Sequence, residues 1–207
     1  MPGLDETLES GAPPICAILR GVRPDEAVAI GTALVEAGVK VLEVPLNSPE
    51  PLLSVARLVE ALGERATIGA GTVLDVEAVA ELARIGARLV VSPNCDPAVI
   101  RAGVAAGMAV LPGVMTPSEA FAALAAGATR IKLFPASSVP PSHCRALRDV
   151  LPGGTGLWAV GGIDAANLAD WLAAGCEGVG LGGSLYRPGD SPALVGERAR
   201  QVVAALT

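Results

Sequence analysis

Two lysines stand against thirteen arginines in this chain, and one of them, Lys132, lies where a solvated charge does not belong. It sits inside the apolar run Ile131-Lys132-Leu133-Phe134. Strand side chains alternate between faces, so Ile131 and Leu133 turning outward send Lys132 inward. Leu42-Glu43-Val44 repeats the pattern with a carboxyl group in the middle. An amine in a dry cavity is pushed toward its neutral form, and only a neutral amine attacks a carbonyl. Lys132 is therefore the candidate Schiff-base nucleophile and Glu43 the candidate proton shuttle. The competing account is a structural ion pair. Desolvating two charges is costly, so such pairs stabilise weakly, whereas buried titratable pairs cluster at functional sites. The other lysine, Lys40, opens a strand beside a helix end, an ordinary place for a solvated charge.

Glycine gives the second signal. Gly161-Gly162 and Gly182-Gly183-Ser184 each follow a short β-branched run and lead toward a helix start. Exposed backbone N–H groups and a helix N-terminus there suit a phosphate monoester, with the Ser184 hydroxyl as an added donor. The plainer alternative is two tight turns. Arg20, at the end of the first run, offers a two-pronged contact for a carboxylate or phosphate, or else a rim salt bridge. Thr72 follows Gly69-Ala70-Gly71, whose missing side chains leave room for a ligand. His143 falls in a Pro-rich stretch after Pro140-Pro141, where a surface role is expected.

These residues need a scaffold, and a recurring phrase supplies it. An Ala/Leu/Val-rich helical stretch ends in glycine, and a short β-branched run follows, as around Gly38, Gly86, Gly107, Gly127 and Gly175. Ser48-Pro49, Asp96-Pro97 and Thr116-Pro117 place a capping side chain before a first-turn proline, and Thr116 with Glu119 fits a capping box. Eight strands are expected, beginning near 15, 39, 67, 89, 109, 130, 157 and 178, with a last helix over 191–206. Strands alternating with helices mean a parallel sheet. Eight units over residues 1–207 predict a single-domain α/β fold, a (β/α)8 TIM barrel, whose working groups sit at the carboxyl ends of the strands. No GxGxxG follows the first strand, which disfavours a dinucleotide fold.

Composition narrows the function classes. Hydrophobic residues make up 51% and charged residues 17%, enough apolar material for a large core. A net charge of −6 argues against a nucleic-acid partner. Mean hydropathy is +0.53, yet every apolar run is too short to span a membrane. The acidic start, Met1-Pro2-Gly3-Leu4-Asp5-Glu6, has no signal pattern, so a cytoplasmic location is expected. Cys16, Cys95, Cys144 and Cys176 form no CxxC pair and are expected to be buried small hydrophobes, with no metal site and no cofactor.

Ile18-Leu19-Arg20-Gly21, Leu42-Glu43-Val44-Pro45-Leu46-Asn47-Ser48-Pro49, Gly69-Ala70-Gly71-Thr72-Val73-Leu74, Lys132-Leu133-Phe134-Pro135 and Ala159-Val160-Gly161-Gly162-Ile163 run in order through the chain. Together they resemble the class I 2-keto-3-deoxy-6-phosphosugar acid aldolases. The resemblance implies a metal-free homotrimer acting on a phosphorylated keto-deoxy sugar acid through an imine. It assigns Lys132 as nucleophile, Glu43 as acid/base, Arg20 and Thr72 as pyruvyl contacts, and Gly161, Gly162, Gly182, Gly183 and Ser184 as phosphate contacts. Gluconate-type members carry an arginine where this chain has Asn47 and a threonine where it has Val160, so the galactonate type is the nearer likeness. Val160 lies beside the C4 alcohol on this reading. The rival expectations are the C4-epimeric gluconate activity or dual specificity, a phosphosugar isomerase or decarboxylase, and a non-catalytic phosphometabolite-binding barrel.

Overall fold

In the computed structural model, which describes residues 2–206, the strand-and-helix units close a parallel barrel. The wall runs through β1 (Ile15–Ile18), β2 (Val41–Pro45), β3 (Thr67–Gly71), β4 (Leu89–Val91) and β5 (Ala109–Leu111). It continues with β6 (Gly113–Val114), β7 (Arg130–Leu133), β8 (Gly156–Val160) and β9 (Gly178–Leu181), which pairs back onto β1. Nine strands stand where eight were expected because one of them is cut at Pro112. Proline has no N–H to offer the ladder, so β5 pairs with β4 and β6 with β7. The Lys132 N–H donates to the Pro112 carbonyl at 2.9 Å and bridges the break.

The outer layer is α2 (Pro24–Glu36), α3 (Pro51–Leu62), α4 (Val76–Ile85), α5 (Pro97–Ala105), α6 (Pro117–Ala125), α7 (Ser142–Arg148), α8 (Leu168–Ala173) and α9 (Pro192–Ala204), one after each strand position. The five glycines expected to end helices all have φ between +70° and +103°, the left-handed region that L side chains avoid. Asp96 accepts the Ala98 N–H at 2.7 Å. Thr116 and Glu119 exchange bonds across the start of α6 as a capping box. The Ser48-Pro49 start is corrected: α3 begins at Pro51, behind a left-handed Glu50 (φ 41°), and the Ser48 hydroxyl instead accepts the Gly21 N–H at 2.9 Å. Among the described residues, no helix is long and apolar enough to cross a membrane.

Strand alternation divides the interior in two. Leu42, Val44, Ile131 and Leu133 join the apolar layer under the helices. Cys16, Val41, Leu89, Val91, Leu111 and Trp158 fill the lumen with Leu4. That leucine belongs to a short helix absent from the sequence expectations, α1 (Leu4–Glu9), which closes the amino end of the barrel. Leu4 is buried there, and the Thr7 and Thr67 hydroxyls meet at 2.7 Å. α1 thus covers the amino end of the barrel, leaving the carboxyl ends of the strands as the end where the cleft opens.

Candidate active site

At that open end, a cavity of about 450 Å³ is lined by Lys132 and Glu43 together with Arg20, Thr72, Val160, Gly161, Gly162, Gly182, Gly183 and Ser184. All ten residues singled out from the sequence therefore share one cleft. A larger depression, about 580 Å³, lies at the opposite end beside α1, far from this group.

Lys132 is 5% exposed and Glu43 3%. β7 aims Lys132 inward between Gly113 of β6 and Trp158 of β8. Burial lowers the Lys132 pKa below the usual lysine range, and the attraction of Glu43 offsets only part of that. Burial also pushes the Glu43 carboxyl up to about 7, against the pull of Lys132, Arg20 and the Gly71 N–H. Both groups are thereby brought toward neutral pH, where proton exchange is easiest. Among the described residues no ion pair joins them, and Glu43 Oε2 is buried without a hydrogen-bond partner. A buried orphan acceptor is costly and calls for a functional account. Gly71 makes this placement feasible: a Cβ there would stand 2.1 Å from Glu43 Oε2.

Around the pair, the walls are held by specific bonds. Arg20 Nη1 donates to Asn47 Oδ1 at 2.9 Å, so Asn47 orients the guanidinium whose charge acts on both Glu43 and Lys132. Thr72 has φ 56°, a left-handed conformation that a β-branched residue adopts only under constraint. Next to it, the Val73 carbonyl accepts from the buried Ser92 hydroxyl at 2.8 Å, which pins the turn. Gly161 and Gly162 have φ 102° and 76° and turn the chain back over the cleft.

The phosphate end departs from expectation in two respects. α8 and α9 begin only at Leu168 and Pro192, so the glycine turns themselves, rather than the start of either helix, line the cavity here. The Ser184 hydroxyl donates to the Ile163 carbonyl at 2.9 Å, tying the two glycine turns together instead of projecting a free donor.

The model of the family "KDPG and KHG aldolase" matches residues 5–193 of this chain. The chain belongs to that family. The 2-dehydro-3-deoxy-6-phosphogalactonate aldolase of Escherichia coli (strain K12) is 48% identical over 192 residues, covering 93% of this chain and 94% of that one. A solved structure described as "Native KDPGal structure" superposes with a TM-score of 0.92 at 48% identity, covering 93% of this chain and 94% of the other. The KDPG aldolase from Legionella pneumophila, solved with pyruvate captured as a covalent carbinolamine intermediate, gives 0.82 at 26% identity, covering 92% and 94%.

The aldolase cleft also contains side chains that the sequence reading passed over. Phe134 lies under the nucleophile candidate, with Lys132 Nζ 4.7 Å from its ring centroid. Arg187 lines the mouth. Its Nε donates to the Gly183 carbonyl at 2.9 Å, and its backbone N–H donates to Asp190 at 2.8 Å. Asp190 is already neutralised by Arg198 at 2.5 Å, so among the described residues the terminal nitrogens of Arg187 have no carboxylate partner. Period-2 alternation could have found Phe134, two residues beyond Lys132; nothing local distinguishes Arg187 among thirteen arginines. His143 is not in a loop but on α7, half-buried, with Nε2 2.9 Å from the Met115 carbonyl. Cys95 is only partly buried, and its thiol donates to the Glu119 carbonyl at 3.4 Å. Among the described residues, no group of three His, Cys, Asp or Glu side chains could hold a metal ion.

Proposed function

We propose that this aldolase cleaves 2-dehydro-3-deoxy-6-phosphogalactonate reversibly to pyruvate and glyceraldehyde 3-phosphate, through an imine on Lys132. The observation that carries the reading is the buried, unpaired Lys132–Glu43 couple at the bottom of a cleft whose mouth is rimmed by glycine turns and Arg187. The neutral amine adds to the C2 ketone, and loss of water gives an iminium that can accept an electron pair. Glu43, as carboxylate, takes the C4 hydroxyl proton; the C3–C4 bond breaks and its electrons move into an enamine. The glutamic acid then returns the proton to C3, and water releases pyruvate and the free amine. Arg20, held by Asn47 near the couple, suits the C1 carboxylate. The Gly161–Gly162 and Gly182–Gly183 N–H groups with Arg187 suit the phosphate at the other end of the substrate.

Val160 supports the galactonate epimer. It is almost fully buried, and a Cβ on the neighbouring Gly180 would come within 2.8 Å of its methyl group. Where gluconate-type members have threonine, Val160 offers no hydroxyl to the C4 alcohol, and losing a buried hydrogen-bond partner shifts selectivity between the two epimers. The closeness of the E. coli relative, named for the galactonate compound, points the same way. The resemblance further suggests a cytoplasmic homotrimer, and the exposed Leu74, Val76, Val104 and Phe121 offer apolar surface for self-association.

Borohydride reduction in the presence of pyruvate, followed by peptide mapping, tests the imine. The expected result is one adduct on Lys132; an unmodified lysine, with turnover intact, would overturn it. Turnover of the two C4 epimers should favour the galactonate compound by at least about tenfold, and equal rates would reject the Val160 assignment.

A further inference from the structure

Away from the cleft, two thiols that lie 32 residues apart in sequence face each other. Cys144 Sγ on α7 is 3.0 Å from Cys176 Sγ in the turn that leads into β9. Both are buried. That separation is about 1 Å longer than a disulfide bond of ~2.05 Å, so bonding needs only a small side-chain shift. Either sulfur can donate in this contact. With Cys176 as donor, that bond and the Arg148 and Arg145 guanidinium groups hold the Cys144 thiol below the usual range, whereas the same bond and burial push Cys176 up. The two sulfurs therefore differ, and Cys144 is the one poised to become a thiolate nucleophile. Arg148 is itself fixed over the pair's neighbourhood, with both terminal nitrogens donating to the Thr155 carbonyl at 2.6 and 2.7 Å.

We propose that Cys144 and Cys176 form an oxidation site that closes to an intramolecular disulfide in the presence of hydrogen peroxide. The Cys144 thiolate attacks one peroxide oxygen, the O–O bond breaks, and the hydroxide released takes up a proton to leave as water. The resulting sulfenic acid is attacked by the Cys176 sulfur, which gives up its proton as the S–OH bond breaks and a second water departs. In sum, two thiols and one peroxide give one disulfide and two waters, the thiols being oxidised by two electrons and the peroxide reduced by two. The bond joins the helix after the nucleophile strand to the lead-in of β9, the strand just before Gly182. It lies at the amino end of β9, so the cleft is untouched. It also closes a long loop, which restricts the unfolded chain.

The test is peroxide treatment of the full chain, denaturation, alkylation and peptide mapping. The expected result is a Cys144–Cys176 linked peptide with Cys16 and Cys95 alkylated. The melting temperature should rise by about 5 to 10 °C, reversibly with dithiothreitol. Cys144→Ser should abolish both changes; if that variant fails to fold, mapping of the wild type decides alone. Separate alkylation or sulfinic oxidation of Cys144 and Cys176 would overturn the proposal, as would a bond to Cys16 or Cys95. A linked peptide without a thermal shift would refute the claim that the bond fits the native geometry.

Discussion

Arg130 and Lys132 lie two residues apart on β7 and face the same lumen, yet they are treated in opposite ways. Arg130, at the floor, is gripped by both oxygens of Glu177 at 2.9 and 3.0 Å and by Asp5 at 2.6 Å. Trp158 Nε1 adds a bond to the same Glu177 at 2.7 Å. Burial works against the charge of Arg130, but Glu177 and Asp5 more than offset it and hold its pKa above the usual value. Lys132, one layer up, has a ring at 4.7 Å and no carboxylate in contact among the described residues, and its pKa falls. The lesson is that a barrel can bury a cation for structure or for chemistry, and the partners distinguish the two. A satisfied guanidinium is locked; an unsatisfied amine is available.

The contrast breaks most sharply at Lys132. Lys132→Met keeps the volume and removes the amine, so turnover should fall by more than about 10⁴-fold while the melting temperature stays level or rises, because a buried polar group gives way to an apolar one. Steady-state rates and a thermal melt check both halves. A variant that loses stability as well as activity would put Lys132 in the same class as Arg130.

Glu43 comes next. Glu43→Gln should cut kcat by about 10²- to 10⁴-fold, the usual contribution of a positioned proton carrier, while pyruvate still forms the trapped adduct. Its pH dependence follows from a folded pKa raised to about 7 from 4.5. Between those values the folded state holds a proton that the unfolded chain has lost. The stabilisation is thus complete at acid pH and disappears as pH rises through about 7. Denaturant melts at pH 5 and 8 should show Glu43→Gln gaining roughly 1 to 3 kcal/mol on the wild type over that interval. A constant difference would place the carboxyl in an ordinary solvated environment.

Lys132 and Glu43 were legible in the sequence because strand alternation has a period of two, and a charge flanked by apolar residues has only one way to face. The unit spacing showed the barrel for a similar reason: each glycine stop is local chemistry. What stayed hidden depends on the chain meeting itself at a distance. Six residues at the start gave no periodicity by which to see α1 closing the floor. Ser48 looks like a cap until Pro51 takes the first helical position and Gly21 claims its hydroxyl. Ser184 reads as a donor until Ile163 uses it, and Arg187 is conspicuous only because Asp190 chose Arg198.

Arg187 therefore gives the intermediate prediction. Arg187→Gln should raise KM for the phosphorylated substrate by about 10- to 100-fold, the value of a lost charge-assisted contact, with kcat little changed. An analogue lacking the phosphate should show no such shift. If KM rises equally for both, the residue shapes the mouth rather than holding the anion.

The smallest effect is expected at the floor. Asp5 is 71% exposed at its side chain although it contacts Arg130, and exposed pairs contribute ~0–1 kcal/mol. Glu177 would keep its two bonds to Arg130 in Asp5→Asn, so no charge is left stranded. The melting temperature should drop by no more than about 4 °C, the shift that ~1 kcal/mol produces in a chain of this size, and kcat/KM should not change. A larger thermal loss would mean that α1 is held to the barrel chiefly by this ion pair and not by Leu4. A change in kcat/KM would mean that the two cations on β7 are coupled, and that the floor tunes the amine above it.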